Sequence, residues 1–246
     1  MGTTGFSYYS RKERAETFGS SPEGSGIRAV IRAIIPGAMR YRLAIFDFDG
    51  TLADSFPWFL VVVNRLADEH RFRRMEEHEI ETLRGQSSRQ IMAHLRMPLW
   101  KLPRVARGFR QHMAREIGEI RLFPGVDELL RELTRRGIRL AIVTSNSEGN
   151  VRQVLGPENA ALIEHYECGA SLFGKRPKLR AVLKKSGIPA SEAIAIGDEI
   201  RDLEAAHAEG IAFGAVAWGY ANPEALRAHG PEEEFASLED VIRRLV

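Results

Sequence analysis

Residues 42–55 read RLAIFDFDGTLADS. Leu43 to Phe46 form a short apolar run that stops abruptly at carboxylates and a Gly-Thr turn. Such a run fits a parallel strand covered on both faces, whose carboxyl end alone meets solvent and carries polar chemistry. The pattern recurs at residues 140–143, followed by Thr144-Ser145-Asn146, and at residues 193–196, followed by Gly197-Asp198. Between these runs, residues 126–136 place Val126, Leu129, Leu130 and Leu133 on one helical face, with Gly137 as a stop signal. Strands alternating with helices predict an α/β chain, a doubly wound, Rossmann-like parallel sheet. In open sheets of that kind ligands bind outside the carboxyl ends of the strands at the switch in strand order, so the three polar clusters should converge.

The segment that follows the first strand has a different period. Phe56, Phe59, Leu60, Val63 and Leu66 repeat at helical spacing, as do Ile91 with Leu95 and Val105 with Phe109 and Met113. A small all-helical insert is therefore expected over residues 55–121, with these stripes as its core. Residues 39–54 and 122–246 should make the α/β core, and the acidic run Glu232-Glu233-Glu234 a solvated loop before a last helix over residues 238–246. Residues 1–38, rich in Gly and Ser, have no sustained apolar core and do not resemble a secretory signal, so a disordered extension is expected there. A weak helix around residues 27–35 is the other reading of that segment.

Composition sets the outer bounds. The 246 residues are 44% hydrophobic and 28% charged, ordinary globular material. The net charge is +2, and with five Lys/Arg against three Asp/Glu in the first 38 residues the remainder carries 30 of each. That neutrality argues against a nucleic-acid surface. No apolar run approaches the roughly 18 residues of a membrane span. The one cysteine, Cys168, has no partner for an internal disulfide, which fits a reducing cytoplasm. Nothing in the chain separates a monomer from a small homo-oligomer.

The polar clusters define a chemistry. Asp47 and Asp49, two apart on an extended backbone, point the same way. Adjacent carboxylates repel unless they share a cation or proton, and a hard divalent ion with oxygen ligands is the usual solution. One can then act as nucleophile while the other handles a proton. Thr144 is either a ligand hydroxyl or a helix N-cap. Lys175 and Lys178, in FGKRPKLRAVLKKSGI, are the lysines that could meet negative charge developing at such a site. Asp198 and Asp202, four apart, lie on one side of a helical turn, and Glu199 could stand in for either.

The string FDFDGTLADS resembles the first motif of the haloacid dehalogenase-like hydrolases, and the likeness runs from about residue 40 to the end. It implies that Asp47 is the nucleophile and Asp49 the general acid and base. Dehalogenating members lack an aspartate at the position of Asp49, so a phosphatase is implied instead. Thr144 in IVTSN is similar to the second motif, which puts Ser145 and Asn146 beside the phosphoryl oxygens. Lys175 fits the third motif better than Lys178. The resemblance further implies Mg2+ held by Asp47, the backbone carbonyl of Asp49, Asp198 and, in a supporting place, Asp202. AVAWGYANPEAL is similar to the phosphoglycolate-phosphatase-like branch, with Trp218-Gly219-Tyr220 as a loop beside the site or an aromatic plug of the core.

An insert after the first strand corresponds to that family's C1 cap, which selects the substrate. The loop Arg84-Gly85-Gln86-Ser87-Ser88 is the candidate to face the pocket, with Arg84 or Arg89 meeting a substrate carboxylate and Ser87 otherwise a helix cap. A small phosphorylated metabolite is the expected partner. A phosphosugar mutase and a binding protein with a relic site are the alternatives.

Overall fold

The computed structural model describes residues 40–86, 88–170 and 174–246. The expected disordered extension over residues 1–38, and Ser87, lie outside the described residues. Strand β1 (Leu43–Phe46) leads into a two-residue strand β2 (Ala53–Asp54) and then the helices α1 (Phe56–His70), α2 (Ile80–Arg84), α3 (Ser88–His94) and α4 (Leu102–Glu116). Strand β3 (Arg121–Leu122) returns antiparallel to β2, pairing Ala53 with Leu122, and so closes the helical segment at its base. The chain continues through α5 (Val126–Arg135), β4 (Arg139–Val143), α6 (Glu148–Leu162), β5 (Ile163–Glu167), α7 (Arg176–Ser186) and β6 (Ala193–Gly197). It ends with α8 (Ile200–His207), β7 (Ala212–Val216), α9 (Pro223–Arg227), β8 (Glu233–Phe235) and α10 (Leu238–Leu245).

Among the described residues six strands form one parallel sheet in the order β5-β4-β1-β6-β7-β8. The order reverses at β1, which lies between β4 and β6, and these are the three strands whose ends carry the polar clusters. Alternation along β1 divides the core. Leu43 and Ile45 join Ala141, Val143, Ala193 and Ala195 on one face, under Leu179 and Val182 of α7 and Leu203 of α8. Ala44 and Phe46 join Leu140, Ile142, Ile194 and Ile196 on the other, under α5, α6 and α10. All four β1 side chains are buried, and such burial stabilises by about 1.5–3 kcal/mol for each large side chain. In α5 the buried residues are Val126, Leu129, Leu130 and Leu133, the face its sequence pattern predicts.

The run Glu232-Glu233-Glu234 is not a solvated loop. Glu233 and Glu234 lie in β8, parallel to β7, and Phe235 anchors the strand in the core. Glu232 accepts a hydrogen bond from the Phe213 backbone N–H at 2.7 Å and pairs with His207. An edge strand needs only one buried anchor, and Arg40, Arg227 and Arg244 pair with the acids along it, so its sequence carries no apolar alternation.

Candidate active site

The site begins where β1 runs out. The Asp47 N–H donates to the Ile196 carbonyl at 2.8 Å, which extends the pairing with β6 one residue past the strand. Phe48 is fully buried in the core, so the pleat turns Asp47 and Asp49 together to the other side. The chain then folds back on itself: the Leu52 and Ala53 N–H groups both donate to the Phe48 carbonyl at 2.9 Å. Gly50, at φ 81°, makes that turn, and a Cβ there would stand 2.4 Å from Asp198 Oδ2.

Asp198 leaves the end of β6 with no exposed surface and is held from two sides. Thr51 Oγ1 donates to its Oδ1 at 3.0 Å, and the Tyr220 N–H donates to its Oδ2 at 2.7 Å. The Gly219 backbone passes so close that a Cβ would lie 2.1 Å from Asp198 Cβ. Asp202, in the first turn of α8, brings its carboxylate alongside. Lys175, the residue before α7, places Nζ 2.7 Å from Asp47 Oδ1 and 2.7 Å from Asp202 Oδ2. Lys178 goes elsewhere, donating to the carbonyls of Thr144, at 2.6 Å, and Gly169.

Carboxylate oxygens of Asp47, Asp198 and Asp202 lie within 4.8 Å of one another. Asp202 Oδ1 is buried with no hydrogen-bond partner among the described residues. Three buried hard oxygen donors with one lone pair set unsatisfied fit a divalent cation of the Mg2+ type. The Asp49 side chain stands outside that cluster. Its carboxylate accepts from Asn146 Nδ2 at 3.1 Å, so Asn146, expected beside phosphoryl oxygens, faces the second aspartate.

Thr144 follows β4 and is buried. Its alternative reading as a helix cap fails, because Ser147 caps α6 by accepting from the Asn150 N–H. Thr144 Oγ1 accepts from the Asn146 N–H at 3.1 Å, which leaves the hydroxyl proton for another acceptor. Ser145 is exposed at the same strand end.

This constellation has relatives. Residues 44–216 match the family described as haloacid dehalogenase-like hydrolase. The chain belongs to that family. A phosphoglycolate phosphatase of Synechococcus elongatus is 30% identical over 200 residues, covering 81% of this chain and 94% of that one. A 5'-nucleotidase of Pseudomonas aeruginosa is also 30% identical, over 213 residues, 82% of this chain and 94% of the other. In fold, a haloacid dehalogenase-like hydrolase from Streptococcus pneumoniae superposes with a TM-score of 0.72 at 21% identity, over 83% of this chain and 98% of that one. The chain is an enzyme of the family's phosphatase kind, a phosphoric monoester hydrolase resembling the phosphoglycolate phosphatases.

The electrostatics of this haloacid dehalogenase-like site are those of crowded, buried carboxylates. Burial, and then the neighbouring Asp47, push the Asp49 carboxyl up to about 6, against the pull of hydrogen bonds from Ser55 and Asn146. Burial and Asp47 also raise Asp198 well above the usual carboxylate range. Burial raises Asp202 to about 7 although Lys175 pulls it down. Burial works to lower Lys175, but Asp202 and Asp47 outweigh it and keep the ammonium charged.

The helical segment meets the site through one residue of its predicted loop. Arg84, expected as a candidate for a substrate carboxylate, is engaged within the chain: its Nε donates to the Tyr220 carbonyl at 3.0 Å, one terminal nitrogen to the Gly219 carbonyl at 2.8 Å, and the other pairs with Glu81. These two backbone carbonyls hold the guanidinium, whose Cζ lies over the Phe56 ring at 5.6 Å from its centre. Gly85 and Gln86 follow at the end of α2, Gly85 exposed, and Arg89 is exposed on α3. Glu199 pairs with Arg201 and stands outside the carboxylate cluster. Trp218 donates to the Thr51 carbonyl at 3.1 Å, so the Trp218-Gly219-Tyr220 loop lies beside the site. Sequence reasoning missed Ser55 and Thr51; their nearness to the two aspartates in FDFDGTLADS was the signal.

Proposed function

We propose that this hydrolase is a Mg2+-dependent phosphatase that removes phosphate from a small phosphomonoester through an aspartyl-phosphate on Asp47. The observation that carries the reading is Lys175 Nζ at 2.7 Å from both Asp47 Oδ1 and Asp202 Oδ2, in a buried trio of carboxylates completed by Asp198. A nucleophile and a fixed positive charge thereby meet at the switch point of the sheet, and the buried Thr144 adds a hydroxyl at the end of the neighbouring strand β4.

In this account an Asp47 carboxylate oxygen attacks phosphorus in line with the ester oxygen. The P–O ester bond breaks, and the departing alkoxide takes a proton from the Asp49 carboxyl. Asp49, now ionised, accepts a proton from water, whose oxygen attacks the acyl phosphate and frees inorganic phosphate and the Asp47 carboxylate. Lys175, the Thr144 hydroxyl and the Ser145 N–H hold the phosphoryl oxygens. Asp47, Asp198, Asp202 and the backbone carbonyl of Asp49 would hold Mg2+, which when bound supplies positive charge against the phosphoryl oxygens. Residues 55–121 act as a cap, with Arg84 tying them to the core, so a small substrate is favoured over a macromolecule. The single cysteine fits action in a reducing cytoplasm.

Two relatives suggest different substrate classes, since one phosphoglycolate phosphatase and one 5'-nucleotidase are each 30% identical to this chain. Phosphate release from phosphoglycolate, other small phosphomonoesters and nucleoside 5'-monophosphates, with Mg2+ and with a chelator, tests the reading and separates the classes. Metal-dependent release is expected. Conversion of a phosphosugar to its isomer without free phosphate would replace the reading by a mutase, and inertness to every ester would leave a binding protein.

A further inference from the structure

Lys178 is the third residue of α7, where the unpaired N–H groups of a helix start favour an acid over a base. A cation in that place needs acceptors of its own, and this one has two. Its half-buried ammonium donates to the Thr144 carbonyl at 2.6 Å and to the Gly169 carbonyl. The same two segments meet again where the Gly169 N–H donates to the Asn146 carbonyl at 2.6 Å and the Thr144 N–H to the Glu167 carbonyl at 3.2 Å. Gly169, at φ 91°, takes the left-handed turn that lets its N–H and its carbonyl serve both bonds. Lys178 thus fastens the polar end of β4 to the end of β5.

What that grip controls follows from the backbone. The Thr144 carbonyl and the Ser145 N–H belong to one planar trans peptide, so they point in opposite directions and cannot turn separately. Fixing the carbonyl on Lys178 fixes the N–H on the far side. The neighbouring N–H groups are already engaged: that of Thr144 by Glu167, that of Asn146 by Thr144 Oγ1 at 3.1 Å, and that of Ser147 by Asn146 Oδ1 at 2.9 Å. The Ser145 N–H has no acceptor among the described residues, and the residue is exposed. A donor held in place yet left free suits an oxyanion that develops during reaction.

We propose that Lys178 is a positioning residue for phosphoryl transfer: by gripping the Thr144 carbonyl it holds the Ser145 N–H aimed at the phosphoryl oxygens. The inference rests on the phosphatase reading and on the use of that N–H in it. It gives the second lysine of the segment a part distinct from that of Lys175, which meets Asp47 directly.

A preorganised donor acts on the transition state more than on bound substrate, so its loss should appear in kcat and not in KM. Lys178→Met keeps the length of the side chain and removes the donors. With Mg2+ and the best phosphomonoester of the panel, its kcat should fall about tenfold, a fraction of what removing an oxyanion donor costs, with KM near the wild-type value. The second measurement reads the N–H itself. Protein labelled with nitrogen-15 at serine is titrated, with Mg2+ present, with orthovanadate, which adopts the five-coordinate shape of the transferring phosphoryl group. The Ser145 amide signal, identified by its absence in Ser145→Ala, should move to lower field in wild type and should largely lose that movement in Lys178→Met. A wild-type Ser145 amide unmoved at vanadate saturation would overturn the proposal, and this arm needs no variant to fold. So would a full movement retained in Lys178→Met, or a loss carried by KM with kcat unchanged, which would mean that Lys178 acts only as a charge on bound substrate. Wild-type protein that releases phosphate from no ester would instead sink the phosphatase reading itself.

Discussion

At the scale of single residues the site is set by close approaches. Asp198 is fixed by two hydrogen bonds, and it fits only because Gly50 and Gly219 bring bare backbone against it. Gly219→Ala forces a methyl group to 2.1 Å from Asp198 Cβ, so the loop or the carboxylate must move. Overpacking of this kind costs about 1–3 kcal/mol. The variant should melt below wild type and require more Mg2+ for half-maximal phosphate release; a full melting loss with an unchanged Mg2+ requirement would show that Asp198 does not hold the metal. Asp47, Asp198 and Thr144 were legible in the sequence because each polar residue abruptly ends an apolar strand. Ser55 and Tyr220 were not, since a serine before a helix reads as a cap and its partner lies 165 residues away.

At the scale of elements, the central strands could be read because they are buried on both faces and so almost wholly apolar. The edges could not: β5, with sequence IEHYE, and β8, with EEF, each face solvent in part and carry charge that pairs locally. The helical segment was legible by its period, but its point of attachment to the core was not, because the partners of Arg84 are backbone carbonyls that any sequence possesses. Those bonds tie α2 to the loop that carries Tyr220. Arg84→Gln should therefore lower kcat/KM by about tenfold, or ~1.4 kcal/mol, on every phosphomonoester tested. A loss confined to substrates bearing a carboxylate would mean that Arg84 leaves the loop and binds substrate.

At the scale of the molecule, strand order gathers residues from distant parts of the chain. β1 lies between β4 and β6, so residues 47, 144 and 198 meet at one edge, and the start of α7 delivers Lys175 to the same place. Among the described residues no helix is long and apolar enough to cross a membrane. The central claim is that Asp47 carries the phosphoryl group. Borohydride reduces an acyl phosphate to an alcohol and leaves a free carboxylate untouched, so the protein should be quenched with it during turnover and the peptide spanning residues 42–55 weighed. The account predicts homoserine at position 47 only when substrate and Mg2+ are both present. Steady turnover with Asp47 unreduced would contradict it.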